Sequence, residues 1–108
     1  MAYPVLLLPE VADDLEEIFD YIAIQDSSDG AVYVITQIQE VMDSLAELPN
    51  RGAGVKELAD VPSKAFREIH FKPYRIIYRV EGDAVRVYLV LDGRRDFSDT
   101  LRRRLLAE

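Results

Sequence analysis

Hydrophobic residues recur at two different spacings along the chain, and the change of spacing divides it in two. From Val11 to Leu48 they recur every three or four residues, with acidic residues between them, which is typical of amphipathic helices. From Ala65 onward they alternate with polar residues, which is typical of strands with one buried side. The sequence therefore predicts helices in the first half and a sheet in the second.

The first half predicts a strand and a helical hairpin. The apolar segment Ala2–Leu8 is predicted to be a strand that ends at Pro9. Because proline suits the first turn of a helix, the first helix is expected to begin there. The polar segment Gln25–Gly30 interrupts the helical pattern, and the next helix ends before Pro49. The candidate N-caps of this second helix are Ser27, Ser28 and Asp29. Two helices joined by so short a turn pack antiparallel.

The second half predicts three strands and a last helix. The strands are Ala65–Phe71, Tyr74–Val80 and Ala84–Leu91, and the short gaps between them favour an antiparallel meander. A final helix runs from Ser98 through Leu106. The predicted order is β-α-α-β-β-β-α, an α+β fold whose helical hairpin and C-terminal helix pack on one face of a mostly antiparallel four-stranded sheet.

The alternation also predicts which strand residues share a face. The core face carries Tyr74, Ile76, Tyr78 and Val80 from one strand and Val85, Val87, Leu89 and Leu91 from the next. The opposite face carries the cations Arg75, Arg79 and Arg86, together with His70. One side of the sheet is therefore expected to be core and the other to be basic.

Composition excludes several classes of protein. With 108 residues the chain is expected to form a single domain spanning 1–108. The absence of cysteine excludes disulfides, iron–sulfur clusters, thiolate zinc sites and a cysteine nucleophile, and the single histidine leaves no His–His metal pair. No metal and no cofactor are expected. The longest apolar run, Val5–Leu8, is too short to span a membrane, so the expected location is the cytoplasm.

The net charge of −7 conceals an uneven distribution. Residues 1–63 carry two basic and thirteen acidic side chains, a charge of −11, whereas residues 64–108 carry eleven basic and seven acidic ones, a charge of +4. An acidic chain lacks the surplus of cations that phosphate neutralisation requires, so no direct sequence-specific binding of nucleic acid is expected. The basic half either forms a local patch or pairs with the acids of the first half.

Few residues offer catalytic chemistry. His70 lies two residues from Glu68 and is either a general acid or an ordinary strand residue. Arginines are abundant on the predicted strands and just after them, at Arg67, Arg75, Arg79, Arg86, Arg94 and Arg95. An arginine cluster can stabilise the charge that develops during RNA cleavage, and it can equally pair with the acids of the helices.

Five segments in order resemble the RelE/ParE superfamily of toxins from toxin–antitoxin systems. They are residues 15–22 on the first helix, 48–52 after the second, 66–69 on the next strand, and the two most specific segments, 73–80 and 93–96. The resemblance covers nearly the whole chain and implies the same fold as the periodicity predicts.

The superfamily contains two activities that require different residues. RelE-like members resemble ribosome-dependent messenger RNA endoribonucleases, and by position their arginines match Arg75 and Arg95, with Arg67 on the preceding strand. That strand lacks the lysine of the nucleases, and the position of their C-terminal tyrosine is occupied by Leu101. Without an acid and a base, cleavage loses its proton transfers, each worth about 10²–10⁴-fold.

The other branch, the ParE-like members, is described as inhibitors of DNA gyrase that act by binding and have no catalytic residues. The resemblance to this branch is the stronger one, although Asp92 occupies a position where histidine is frequent in the group. It implies the toxin of a type II (plasmid stabilisation) system that inhibits gyrase and is neutralised by a small ParD-like antitoxin. The alternatives are a RelE-like endoribonuclease and an inactive relative that only binds its antitoxin.

Two surfaces are candidates for these partners. The gyrase-binding candidates are Arg94, Arg102, Arg103 and Arg104, near or on the last helix, and the arginines of that helix are expected to remain at the surface. Arg95 is expected to be partly buried against Asp96 or Asp99. The antitoxin-binding candidates are the acids of the first helix, Asp13, Glu16, Glu17 and Asp20.

Overall fold

A computed structural model describes residues 2–61 and 65–106. The elements follow in the order β1 (Val5–Leu7), α1 (Pro9–Gln25), α2 (Ser28–Asp43), β2 (Ala53–Gly54), β3 (Arg67–Phe71), β4 (Tyr74–Glu81), β5 (Ala84–Asp92) and α3 (Ser98–Leu106). Short 3₁₀ turns at Ser44–Ala46 and Lys56–Leu58 extend α2 and follow β2. Of the three candidate N-caps, Ser27 caps α2 by accepting a hydrogen bond from the Gly30 amide at 2.9 Å. Within the described ranges, no helix is long and apolar enough to cross a membrane.

The sheet has five strands rather than the predicted four, in the order β1-β5-β4-β3-β2. The meander β3-β4-β5 is antiparallel, as predicted, but β1 pairs parallel to β5, with Val5 opposite Val85 and Leu7 opposite Val87. The architecture is therefore α+β with a mixed sheet.

The additional strand, β2, lies between the second helix and the meander, where the sequence predicted no element. It has only two residues, so it shows no alternation that could reveal it. Tertiary contacts hold it on β3: the Tyr78 hydroxyl accepts a hydrogen bond from the Gly52 amide at 3.0 Å, and Arg67 donates to the Gly52 carbonyl at 2.8 Å. These contacts come from residues far away in sequence.

A β-bulge changes the face on which the later residues of β5 lie. Ile77 pairs with Leu89, but the next residue, Tyr78, pairs with Val87, which leaves Tyr88 as an extra residue. Val85 and Val87 therefore face α1 and α2, whereas Leu89 and Leu91 face the opposite side. The prediction that all four share one face was wrong, because a single inserted residue reverses the alternation.

Both faces of the sheet are consequently covered by apolar side chains. On one face α1 and α2 pack through Val11, Ile38 and Met42 against Ile76 and Tyr78. On the other, α3 packs through Leu101 and Leu105 against a cluster that also contains Phe66, Ile77, Leu89 and Leu91. The prediction that every helix packs on the same face was therefore wrong. Arg75, Arg79 and Arg86 lie on the second face, at its two ends.

The close approach at Gly52 makes a prediction about stability. A Cβ at this position would lie 2.7 Å from the Tyr78 hydroxyl and 2.8 Å from the Glu68 carbonyl oxygen. We expect Gly52→Ala to lower the free energy of unfolding by about 2 kcal/mol, because the core must shift to admit the methyl group. Gly54→Ala is the matched control, since nothing lies within 4 Å of its Cβ, and we expect a change within about 0.5 kcal/mol. Equal urea midpoints for the two variants would contradict this account.

Candidate functional site

Arg75 is enclosed by two carboxylates on the face of the sheet that carries α3. Its guanidinium donates to both Glu57 oxygens at 2.8 Å and to the Glu68 oxygens at 2.7 and 3.0 Å. Arg75 is only 13% exposed, and Glu68 is 9% exposed. His70 lies at the edge of this cluster, with Nε2 2.6 Å from Glu68 Oε2. The hydrogen bonds to Glu57 and Glu68 use four of the five N–H donors of the guanidinium, so Arg75 has one donor left for a substrate.

The electrostatics of the cluster favour a permanent ion pair. The hydrogen bonds that Arg75 donates lower the pKa of Glu57, and their acceptance by the carboxylates of Glu57 and Glu68 raises the pKa of Arg75. The 3₁₀ turn that follows β2 is thereby attached to β3 and β4. The arrangement is one that stabilises the fold, rather than one that presents a free cation to a phosphate.

The other residues carried over from the ribonucleases are also poorly placed for catalysis. Arg67 donates to the Asn50 and Gly52 carbonyls, at 3.2 and 2.8 Å. Arg95 is exposed, with its guanidinium 5.0 Å from the Phe97 ring centroid. Leu101, at the position of the catalytic tyrosine, is fully buried. The structure does not bring Arg67, Arg75 and Arg95 together around one open pocket.

A second polar cluster lies at the opposite end of the same face. Arg79 and Arg86 both donate to Glu81, at 2.7 and 2.9 Å, and the Tyr88 hydroxyl also donates to Glu81. Led by the hydrogen bond from Tyr88, these contacts lower the pKa of Glu81 to about 2. The Arg79 guanidinium also lies beside the contacting rings of Phe66 and Tyr88, about 5 Å from each centroid. The cations of the strands therefore neutralise nearby acids.

The gyrase-binding candidates fall into two groups. Arg104 is only 16% exposed: it forms a two-point ion pair with Asp14 on α1, with both distances 3.0 Å, and donates to the Tyr88 carbonyl at 2.9 Å. The prediction that the arginines of α3 remain at the surface was therefore wrong for Arg104. Arg102 is 42% exposed and donates to the Glu57 carbonyl at 2.9 Å and to Asp60 at 3.3 Å.

The remaining candidates of this set are accessible. Arg103 is exposed and makes no ion pair with any residue in the described ranges. Arg94 is 62% exposed, although it pairs with Asp92 at 2.8 Å and so lowers the pKa of that carboxyl. The expectation that Arg95 is partly buried against Asp96 or Asp99 was wrong, because Asp96 accepts hydrogen bonds from Ser98 at 2.8 and 3.0 Å and Arg95 contacts the Phe97 ring instead.

The acidic candidates on α1 form one exposed row. Asp13, Glu16, Glu17 and Asp20 follow the spacing of a single helical face, and all four are exposed. Within the part of the chain that the structure describes, none of them forms an ion pair. Their charges are therefore available to a partner.

A groove separates this acidic row from the arginines of α3. It has a volume of about 310 Å³. The α1 wall contributes Glu17, Ile18 and Tyr21, the floor is the end of β5 from Leu89 to Asp92, and the other wall contains Arg95, Phe97 and Arg103. One concave site thus contains residues from both candidate surfaces.

Sequence reasoning did not find Asp14, which joins these elements. Asp14 Oδ2 accepts the Val90 amide at 3.1 Å in addition to its pair with Arg104. Its position on α1 is that of one more acid among several, and its partners are 76 and 90 residues away. No local pattern signals such a contact.

Among residues 2–61 and 65–106, no group of three or more acids or histidines is placed to hold a metal ion.

Comparison with known proteins agrees with this architecture. The family model described as the ParE toxin of the type II toxin–antitoxin system parDE matches residues 5–97. A solved structure described as the chromosomal ParDE toxin–antitoxin system from P. aeruginosa superposes with a TM-score of 0.69 at 22% identity, covering 82% of this chain and 94% of that one. A search of the curated proteins finds no significant match.

The fold and the extent of the family match define a toxin of a type II toxin–antitoxin system, within the RelE/ParE superfamily. Within that class, the chain belongs to the ParE toxin family, because the match covers all elements from β1 to the segment before α3.

Proposed function

We propose that this protein inhibits DNA gyrase by binding it, without catalysis, and that a small ParD-like antitoxin neutralises it in the cytoplasm. The observation that carries the non-enzymatic part is the state of Arg75. A ribonuclease would need this arginine to face the scissile phosphate, whereas here Glu57 and Glu68 surround it at 2.7–3.0 Å.

Membership of the ParE family supports gyrase as the target. The cations that support a binding surface are Arg103 and Arg94, since both are accessible. Arg102 and Arg104 contribute less to such a surface, because both donate to carbonyl groups of the protein itself. The gyrase-facing patch is therefore proposed to centre on Arg103.

The free acids of α1 support an antitoxin that presents basic residues to this helix. Complementary charges accelerate association and select the partner, and these four carboxylates are not already neutralised by the described residues. Arginine and lysine side chains of the antitoxin are proposed to contact Asp13, Glu16, Glu17 and Asp20.

Cleavage of ribosome-bound messenger RNA tests the non-enzymatic proposal. Translating ribosomes incubated with the purified toxin are expected to retain intact messenger, mapped by primer extension, and His70→Ala is expected to leave toxicity unchanged. Cleavage at defined codons that falls tenfold or more in His70→Ala would identify a RelE-like endoribonuclease instead. An intact messenger combined with normal growth in cells would identify an inactive relative.

A further inference from the structure

The outer edge of β5 is paired along only part of its length. β1 covers Val85–Val87 and is then followed by α1, which begins at Pro9, while β5 continues to Asp92. The end of β5 therefore has β4 on one side and no strand from the described residues on the other. This uncovered edge is the floor of the groove between α1 and α3.

Two side chains occupy the first positions of that edge. Arg104 donates to the Tyr88 carbonyl at 2.9 Å, and Asp14 accepts from the Val90 amide at 3.1 Å. The amide and carbonyl of one residue in an antiparallel strand point to the same side, so the Val90 carbonyl also faces the groove. Asp92 lies two residues further on, and its amide faces the groove for the same reason. The Val90 carbonyl, a hydrogen-bond acceptor, and the Asp92 amide, a donor, thus face the groove side by side.

The two walls of the groove differ in charge. α1 lies on one face of the sheet and contributes Glu17, with Asp13 and Asp20 on the same exposed row. α3 lies on the other face and contributes Arg103, with Arg95 beside it. Because consecutive residues of a strand point to opposite faces, a strand added here would direct alternate side chains towards the acidic wall and the basic wall.

We propose that an extended segment of the antitoxin occupies this groove and adds to the sheet in line with β1, pairing with Val90 and Asp92. This inference rests on the proposed function, since it takes the antitoxin as the partner. The segment carries basic or apolar residues towards Glu17 and Tyr21 and acidic or apolar residues towards Arg103. Main-chain hydrogen bonds supply affinity in strand addition, and the alternate side chains supply specificity.

Occupation of the groove also accounts for neutralisation. The segment covers Arg103, the accessible cation at the centre of the proposed gyrase-facing patch. Gyrase and the antitoxin then compete for one surface, so the toxin bound to its antitoxin does not bind gyrase.

Amide hydrogen exchange in the full complex tests the placement. The probe is the cognate ParD-like antitoxin, added to the intact toxin. We expect the Asp92 amide to exchange at least tenfold more slowly in the complex than in the free toxin. The outward-facing amides of Val5 and Leu7, on the free edge of β1, serve as the internal control and are expected to be unchanged.

Charge reversal on α1 provides a second readout. Glu17→Lys is expected to weaken the complex about tenfold, whereas Glu10→Lys, exposed on the same helix but outside both the acidic row and the groove, is expected to change affinity by about twofold or less. A stable complex with an unprotected Asp92 amide and equal effects of the two variants would overturn the groove assignment while leaving the proposed function intact. The absence of any complex with the antitoxin would overturn both.

Discussion

Replacing Arg75 with alanine is expected to lower the free energy of unfolding by about 3 kcal/mol or more. The substitution leaves Glu57 and Glu68 facing each other with no cation between them, and both are largely buried, at 17% and 9% exposure. Removing one member of a buried ionic group costs about 3–5 kcal/mol, because the remaining charge stays desolvated. Urea denaturation of the purified variant measures the effect.

Arg86→Ala is the matched control for this experiment. Arg86 also lies on the strands and pairs with a glutamate, Glu81, but it is 37% exposed, so we expect a loss of about 1 kcal/mol or less. If Arg75→Ala were as stable as the native protein and had instead lost an RNA-cleaving activity, Arg75 would be a catalytic residue and the structural role assigned to it would be wrong.

Reversing the charge of Arg103 is expected to abolish growth inhibition while leaving the fold intact. This side chain is exposed and unpaired within the described ranges, so its replacement by glutamate disturbs no internal contact there. The proposal places this arginine against an acidic surface of gyrase, which a glutamate would repel, and a central interface arginine contributes about 2 kcal/mol or more to binding. We expect the concentration that half-inhibits gyrase to rise at least tenfold.

Arg51→Glu makes the same change of charge beside β2, at the other edge of the sheet. Within residues 2–61 and 65–106, its guanidinium donates to the Ser44 hydroxyl alone, at 2.8 Å, so we expect this variant to remain toxic. Circular dichroism and thermal melting of both variants check that each is folded. Full toxicity of Arg103→Glu would show that the gyrase-facing surface lies elsewhere.

The elements that the sequence predicts well are those that depend on local pattern. The spacing of apolar residues placed α1, α2 and the meander of β3, β4 and β5 to within a few residues, and it placed α3 at Ser98–Leu106. Each of these elements has enough residues to show its period. The parallel pairing of β1 has no local signal, because its partner β5 lies about 80 residues later in the sequence.

The features that the sequence did not reveal depend on single residues or distant partners. Tyr88 is one extra residue, yet it moves Leu89 and Leu91 to the other face of the sheet and so gives α3 a surface to pack on. Arg103 and Arg104 are adjacent in a run of three arginines, but it is Arg104 that reaches Asp14, 90 residues away. Periodicity therefore locates a helical face without indicating which of its arginines is paired.

The candidate site also combines a feature that the local pattern predicts with one that depends on distant contacts. The acidic row on α1 is exposed, as its helical spacing predicted, since no packing contact is required to produce it. The groove beside it was not predictable, because it exists only where β1 ends before β5 does and where α1 and α3 lie on opposite faces.

Supercoiling of relaxed plasmid DNA by purified gyrase, titrated with the toxin, tests the central claim most directly. The account predicts that the toxin inhibits supercoiling and that equimolar antitoxin, added beforehand, restores it. Arg103→Glu should fail to inhibit, and Arg51→Glu should inhibit as the native protein does. Unimpaired supercoiling by gyrase, with a toxin preparation that stops translation and leaves cleaved messenger RNA, would contradict the account.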